Sequence, residues 1–187
     1  MFIAPLVLIE QVPRSFPSSP SRSPMPNRSA PGPGQESVWD YPRPPALDPC
    51  DQRVRVVFNN ITIADTTDAL RVLETSHPPV YYLPPADVAM EYLTQENRTT
   101  MCEFKGRAVY YTLQVDERSA AQAAWGYPSP TDRFQALKDH LAFYASKMDA
   151  CYVGEKQAHA QEGDFYGGWI TDDIVGPFKG GPGTVGW

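Results

Sequence analysis

Residues 99–111, Thr-Thr-Met-Cys-Glu-Phe-Lys-Gly-Arg-Ala-Val-Tyr-Tyr, put a thiol (Cys102), an amine (Lys105), a turn glycine (Gly106) and two phenols (Tyr110, Tyr111) within one strand–turn–strand. The thiolate is the reactive form of cysteine, and a nearby ammonium favours it. Lys105 follows Cys102 across a turn, so the two heads could meet; in one continuous strand they would face opposite sides. Glu103 works against thiolate formation. Cys102 with Lys105 is therefore the candidate catalytic pair. The alternatives are a thiol that only lines a pocket, and a small buried hydrophobe, which is what a free cysteine usually is.

A second set of residues is aromatic: Tyr81, Tyr82, Tyr110, Tyr111, Trp125, Tyr127, Tyr144, Tyr166 and Trp169. Ligand sites are mostly apolar walls with a few placed polar groups. On that pattern Glu74, Tyr82, Tyr110, Trp125 and Tyr127 are the candidate ligand-binding residues, with Glu74 and Lys105 as polar anchors. An aromatic cage could also hold a cation through its ring quadrupoles. The competing use of Tyr and Trp is to build a β core and point their polar tips to water, so only a minority of the nine should touch a ligand. A Cys–His–acid arrangement would need His77, His140 or His159 beside Cys102. None has a diagnostic spacing, and each reads as an ordinary surface histidine.

No metal site is expected, because the chain has no Cys-x-x-Cys and no zinc-type pairing of Cys and His. No cofactor is expected either. The run Gly176-Pro-Phe-Lys-Gly-Gly-Pro-Gly is glycine-rich, but a phosphate loop needs Gly-Lys-Ser/Thr opening a helix. It reads instead as a strap anchored by Trp187.

The elements that must position these groups read as β. Arg53–Phe58 and Ile61–Ala64 alternate around Asn59-Asn60, a hairpin signal because asparagine tolerates positive φ. Residues 68–74 read as strand or short helix, and 80–83 as strand. Met101–Phe104 and Arg107–Val115 flank the Lys105-Gly106 turn. Ala120–Trp125 is ambiguous; Leu141–Tyr144 and Ala150–Val153 are strands. Short helices are expected at 86–93, after Pro85, and at 132–140, with Thr131 as its N-cap. Many short strands with turn signals predict a mainly β, compact antiparallel domain with one or two short helices.

Twelve of the 20 prolines precede residue 50. Residues 1–35 hold too little apolar surface to offset the entropy of ordering them, and read as a disordered Pro/Ser-rich leader. Met25 offers a second start for translation. Residues 36–50 carry Trp39, Tyr41 and Leu47 in a proline-stiffened frame, an arm that packs on the domain or serves a partner. Residues 36–187 then form one domain, closed by a glycine-rich strap at 163–187.

The net charge is −6, with no basic stripe, which argues against nucleic acid and anionic membranes as partners. The apolar run at 2–9 is too short to span a bilayer. Three cysteines with no close pair fit a reducing, cytoplasmic setting. The partner expected is an unidentified small molecule. Whether any reaction is catalysed, and in what oligomeric state, is not legible.

Several blocks carry a resemblance. They include Glu36-Ser-Val-Trp-Asp-Tyr-Pro-Arg-Pro-Pro, Leu73-Glu-Thr-Ser-His-Pro-Pro-Val-Tyr-Tyr-Leu-Pro, Thr100-Met-Cys-Glu-Phe-Lys-Gly-Arg-Ala-Val-Tyr-Tyr, Ala124-Trp-Gly-Tyr-Pro and Gly163-Asp-Phe-Tyr-Gly-Gly-Trp-Ile-Thr. Over about residues 36–187 the chain resembles the bacterial and fungal domain-of-unknown-function family 427. The resemblance implies a β-tent-like domain, in which two sheets meet at an angle and enclose a pocket. Related tents often carry a zinc tetrad of two cysteine pairs, which this chain lacks. The family is also grouped by name with nucleotidyltransferases, yet no Gly-Ser followed by Asp-x-Asp occurs here to support that chemistry. The family motif has proline after the cysteine, where this chain has Glu103. Three uses follow: binding of a small molecule in an aromatic-lined pocket, a thiol enzyme using Cys102 with Lys105, or an interaction module using the Pro-rich arm.

Overall fold

The computed structural model describes residues 28–163, 165–184 and 186–187. The leader up to residue 27, with the second start at Met25, lies outside the described residues. The strands begin with β1 (Glu36–Ser37), β2 (Ala46–Pro49), β3 (Val54–Phe58), β4 (Ile61–Thr66), β5 (Leu70–Leu73) and β6 (Val80–Tyr82). Three longer ones follow: β7 (Leu93–Cys102), β8 (Gly106–Val115) and β9 (Arg118–Gly126). The rest are short: β10 (Leu141–Phe143), β11 (Ala150–Val153), β12 (Lys156–Gln157), β13 (His159–Ala160), β14 (Trp169–Ile170) and β15 (Ile174–Val175). The protein is mainly β, in several antiparallel sheets. One sheet runs β10-β9-β8-β7, a second β12-β11-β3-β4 and a third β2-β5-β6.

The β3–β4 hairpin follows from its letters. Val54, Val56 and Phe58 are buried and alternate with half-buried residues, as a strand with one covered face requires. Asn59 (φ 50°) and Asn60 (φ 62°) make the turn in the left-handed region. Residues 70–73 resolve as strand because β2 and β6 flank them on both sides. The ambiguous stretch at 120–125 lies within β9, paired to β8 and β10.

Strand β7 is the element that the sequence conceals. Its Leu-Thr-Gln-Glu-Asn-Arg-Thr-Thr-Met-Cys run is polar and mostly exposed, since it is an edge strand paired only to β8. The hairpin reaches the turn at Cys102, opposite Gly106, so the first strand ends earlier than the expected Phe104.

The helices expected at 86–93 and 132–140 are instead 3₁₀ turns at Pro85–Asp87, Met90–Tyr92 and Asp132–Leu137, the last broken at Phe134 (φ −111°, ψ 20°). These segments are too short to repay helix nucleation. Thr131 does not cap: its hydroxyl donates to the Phe104 carbonyl at 2.6 Å. The tie holds the Cys102–Gly106 turn against residues 129–131.

The arm and the strap meet. β1 pairs in parallel with β15, the Trp39 indole donates to the Pro177 carbonyl at 2.9 Å, and Trp187 packs edge-on at 5.6 Å from Trp39. Glu36 is tied to Arg71 at 2.8 Å and accepts the Tyr41 hydroxyl at 2.9 Å. Of the leader, the described residues 28–35 rest on the same surface: Arg28 lies over the Trp39 ring, and the Gln35 amide donates to the Asp172 carbonyl at 2.7 Å.

Two cores form on the two sides of the same strands. Tyr81, Leu83, Leu113, Val115, Ala124, Leu141 and Phe143 belong to one, with Val54, Val56, Phe58 and Trp169. Tyr82, Ala108, Tyr110, Trp125, Ala142 and Tyr144 belong to the other. Period-two alternation along β6, β8 and β10 makes the division.

Candidate functional site

The second face does not close. It opens into a cleft of about 230 Å³. Each of Glu74, Tyr82, Cys102, Lys105, Tyr110, Trp125 and Tyr127 lines it. They arrive from the turn after β5, from β6, from the β7–β8 turn and from β8 and β9. The cleft is joined by Arg43 from the arm, His77 from the turn before β6, Tyr144 after β10, and Gln161, Tyr166, Gly167 and Lys179 from the strap side.

The aromatic floor is built by hydrogen bonds between ring substituents. The Trp125 indole donates to the Tyr82 hydroxyl at 3.3 Å. The Tyr82 and Tyr127 ring centroids are 6.2 Å apart. Trp125 packs against Tyr144 at 4.4 Å, and the Tyr144 hydroxyl donates to the Phe165 carbonyl at 3.2 Å. Tyr110 and Thr100 share a hydroxyl–hydroxyl bond of 2.9 Å. Burial holds the Tyr82, Tyr127 and Tyr144 phenols above the ordinary tyrosine value, so all three are neutral donors at physiological pH.

Tyr110 is set by the bulge in β7. Pairing with β8 shifts between Gln95 and Thr99, and the intervening Glu96 accepts from the Thr112 hydroxyl at 2.5 Å and the Gln122 main-chain N–H at 2.9 Å. Arg98, bonded to the Gln122 amide, lies 4.9 Å from the Tyr110 ring centroid.

The opposite end of the cleft is charged. Arg43 pairs with Glu74 at 3.2 Å and Glu103 at 3.4 Å. Lys105 points over the Phe134 ring at 5.9 Å. The Lys179 main-chain N–H donates to the Ser76 carbonyl at 2.8 Å, and its ammonium to the main-chain oxygen of Trp187 at 2.6 Å. Burial holds this ammonium below the ordinary lysine value, and neighbouring Arg43 adds to the effect.

His77 corrects the sequence reading. It is 8% exposed rather than a surface residue, and packs edge-on against Tyr166 at 4.7 Å. Its Nδ1 lies 2.9 Å from the Thr75 carbonyl oxygen. A carbonyl can only accept, so Nδ1 carries the proton and Nε2 keeps its lone pair. Burial lowers its pKa; the Thr75 carbonyl and Glu74 oppose this, while Lys179 and Arg43 reinforce it. His140 and His159 lie away from this cleft: His159 is exposed on β13, and His140 lines a separate shallow depression with Tyr111 and Asp139.

The three cysteines are free among the described residues. Cys50 and Cys151 are core residues whose thiols burial pushes up. Cys102 alone lines the cleft, half-buried at the end of β7. No group of three or more His, Cys, Asp or Glu side chains among the described residues is arranged to hold a metal.

Sequence reasoning did not assign Arg43, His77, Gln161 or Lys179 to the site. The missing signal is tertiary: these residues come from irregular segments, whose side-chain directions no periodicity reveals. Of the nine aromatic candidates for a pocket wall, Tyr144 and Tyr166 also line the cleft, whereas Tyr81, Tyr111 and Trp169 do not.

No match is found among curated proteins. A family profile matches residues 46–154, which carry the floor of the cleft, Glu74, His77, Cys102 and Lys105, whereas Arg43 and the strap residues fall outside it. The chain belongs to the family described as a domain of unknown function (DUF427).

Proposed function

We propose that the protein binds a small organic molecule in the cleft between the aromatic floor and the strap. One observation carries this reading. The strands that pack solidly on one face leave about 230 Å³ open on the other, walled by rings with polar tips. That volume lies between the roughly 150 Å³ that holds a benzene and the ~300–1,000 Å³ of drug-sized sites. The ligand is therefore one or two rings in size. No helix among the described residues is long and apolar enough to cross a membrane, and free thiols at Cys50, Cys102 and Cys151 support a reducing, cytoplasmic setting.

The test is a thermal-shift screen of ring-sized fragments against the full chain, repeated with Trp125→Phe and Trp125→Ala. The reading predicts hits that weaken in both variants. It fails when no fragment stabilises the protein, or when genuine hits ignore Trp125.

A second reading, thiol chemistry at Cys102, draws support from its position. Of the three thiols it is the one on the cleft wall, which it shares with His77. Iodoacetamide alkylation across pH decides it: half-maximal reaction well below the ordinary ~8.5 favours a nucleophile, and at or above that value the thiol is wall only.

A further inference from the structure

The charges around the cleft narrow the ligand's chemistry. Three cations, Arg43, Lys105 and Lys179, line it with two carboxylates, Glu74 and Glu103. Both carboxylates bind the same guanidinium, that of Arg43. Among the described residues Lys105 has no ion-pair partner, and the Lys179 ammonium meets the main-chain oxygen of Trp187. The described side chains of the site thus hold more cations than carboxylates in a chain of net charge −6, and a low-dielectric recess strengthens their pull on an anion.

Lys179 is the better placed of the two. Its backbone is pinned on both sides, by its own N–H to Ser76 and by the Gln161 amide donating to its carbonyl at 2.5 Å. Its ammonium has three donors, and the Trp187 oxygen takes one. It stands 5.8 Å from the Tyr166 ring centroid, and its partial burial beside Arg43 disfavours its charged form, a cost that a bound anion would offset.

The same geometry speaks against a cationic guest. A cage needs free ring faces. Here Arg98 covers Tyr110 and Lys147 lies over Tyr144 at 5.5 Å. Trp125 and Tyr144 lie against each other. What the floor still offers is apolar ring surface and neutral phenol donors.

Resting on the small-molecule reading above, we infer that the ligand is a small planar carboxylate of the aryl type, its ring on the Trp125–Tyr82 floor and its anionic group at the Lys179 end. Benzoate, benzamide and phenyltrimethylammonium share a ring and differ in charge, so they serve as probes.

Each is titrated into the full chain by calorimetry, alongside Lys179→Met, which keeps length, and Lys179→Arg, which keeps charge. Benzoate should bind about tenfold or more tighter than benzamide, as a charge-assisted hydrogen bond would give. The preference should collapse in Lys179→Met, survive in Lys179→Arg and weaken as salt rises. Equal binding of benzoate and benzamide, tighter binding of phenyltrimethylammonium, a preference indifferent to Lys179→Met, or no binding of any of the three overturns the inference. The fragment screen separates the two levels. Neutral or cationic hits that depend on Trp125 leave the cleft a binding site with a different guest; no hits at all remove both.

Discussion

The two faces of one set of strands solve opposite problems. On the first, Leu83, Leu113, Leu141 and Phe143 close around Trp169, whose indole donates to the Phe143 carbonyl at 2.9 Å. On the second, their neighbours tie their polar tips to fixed partners, Trp125 to Tyr82, Tyr110 to Thr100 and Tyr144 to the Phe165 carbonyl, and leave space. On the first face Val, Leu and Ala side chains fill the space between the rings of Phe58, Tyr81, Phe143 and Trp169. On the second, rings with a hydroxyl or N–H that must find a partner predominate and stand as walls. Alternation assigns a residue to a face; rings occur on both, and the small residues between them mark the face that packs solidly.

The comparison breaks most visibly at Phe143, which is fully buried on the packed side. Phe143→Ala should cost about 3–5 kcal/mol, read by denaturant unfolding, while fragment affinity of the folded fraction stays within about twofold. Loss of affinity in step with stability would merge the two faces into one.

Gly167 probes the other side. A β-carbon there would collide with the Trp125 ring. Gly167→Ala should cost about 1–3 kcal/mol, measured as a lowered Tm, and should weaken fragment binding. Unchanged binding would place the strap outside the site.

Ser76 sharpens the hinge between floor and strap. It sits at φ 69° with its hydroxyl buried and without a hydrogen-bond partner among the described residues. Ser76→Gly removes both penalties and should raise stability by about 1 kcal/mol. Destabilisation on denaturant titration would show that the hydroxyl has a role the static contacts do not reveal.

The smallest effect is the pH response of His77. Burial lowers its folded pKa, so the unfolded chain takes up the proton first as pH falls below about 6.5. The stability owed to the neutral ring is complete above that value and drains as pH drops through the folded-state value. His77→Gln should flatten this part of the stability–pH curve. Glu74, Lys179 and Arg43 face the ring, and an unchanged curve in His77→Gln would show that the slope does not come from His77.

The legibility of the molecule follows the same division. Tyr82, Tyr110 and Trp125 were readable as candidates from residue type, as rings with a polar tip, and they lie on β6, β8 and β9. Glu74, Cys102 and Lys105 were readable from their chemistry beside turn signals. Strand β7 hid behind polar letters because an edge strand has little to bury. Thr131 has the letter of an N-cap, but its hydroxyl serves the Phe104 carbonyl, a partner 27 residues away that no local pattern reveals. His77, Arg43 and Lys179 meet only because the arm and the strap fold back on one end of the cleft.

The two indoles allow the most direct test. Trp125 and Trp169 are both buried and both donate a hydrogen bond, to Tyr82 on the open face and to Phe143 on the packed one. Their N–H resonances, followed by NMR as benzoate or the best fragment is added, report the faces separately. The account predicts that the Trp125 signal moves and saturates while the Trp169 signal stays in place. A fixed Trp125 signal during saturable binding, or a shift at Trp169 alone, would contradict it.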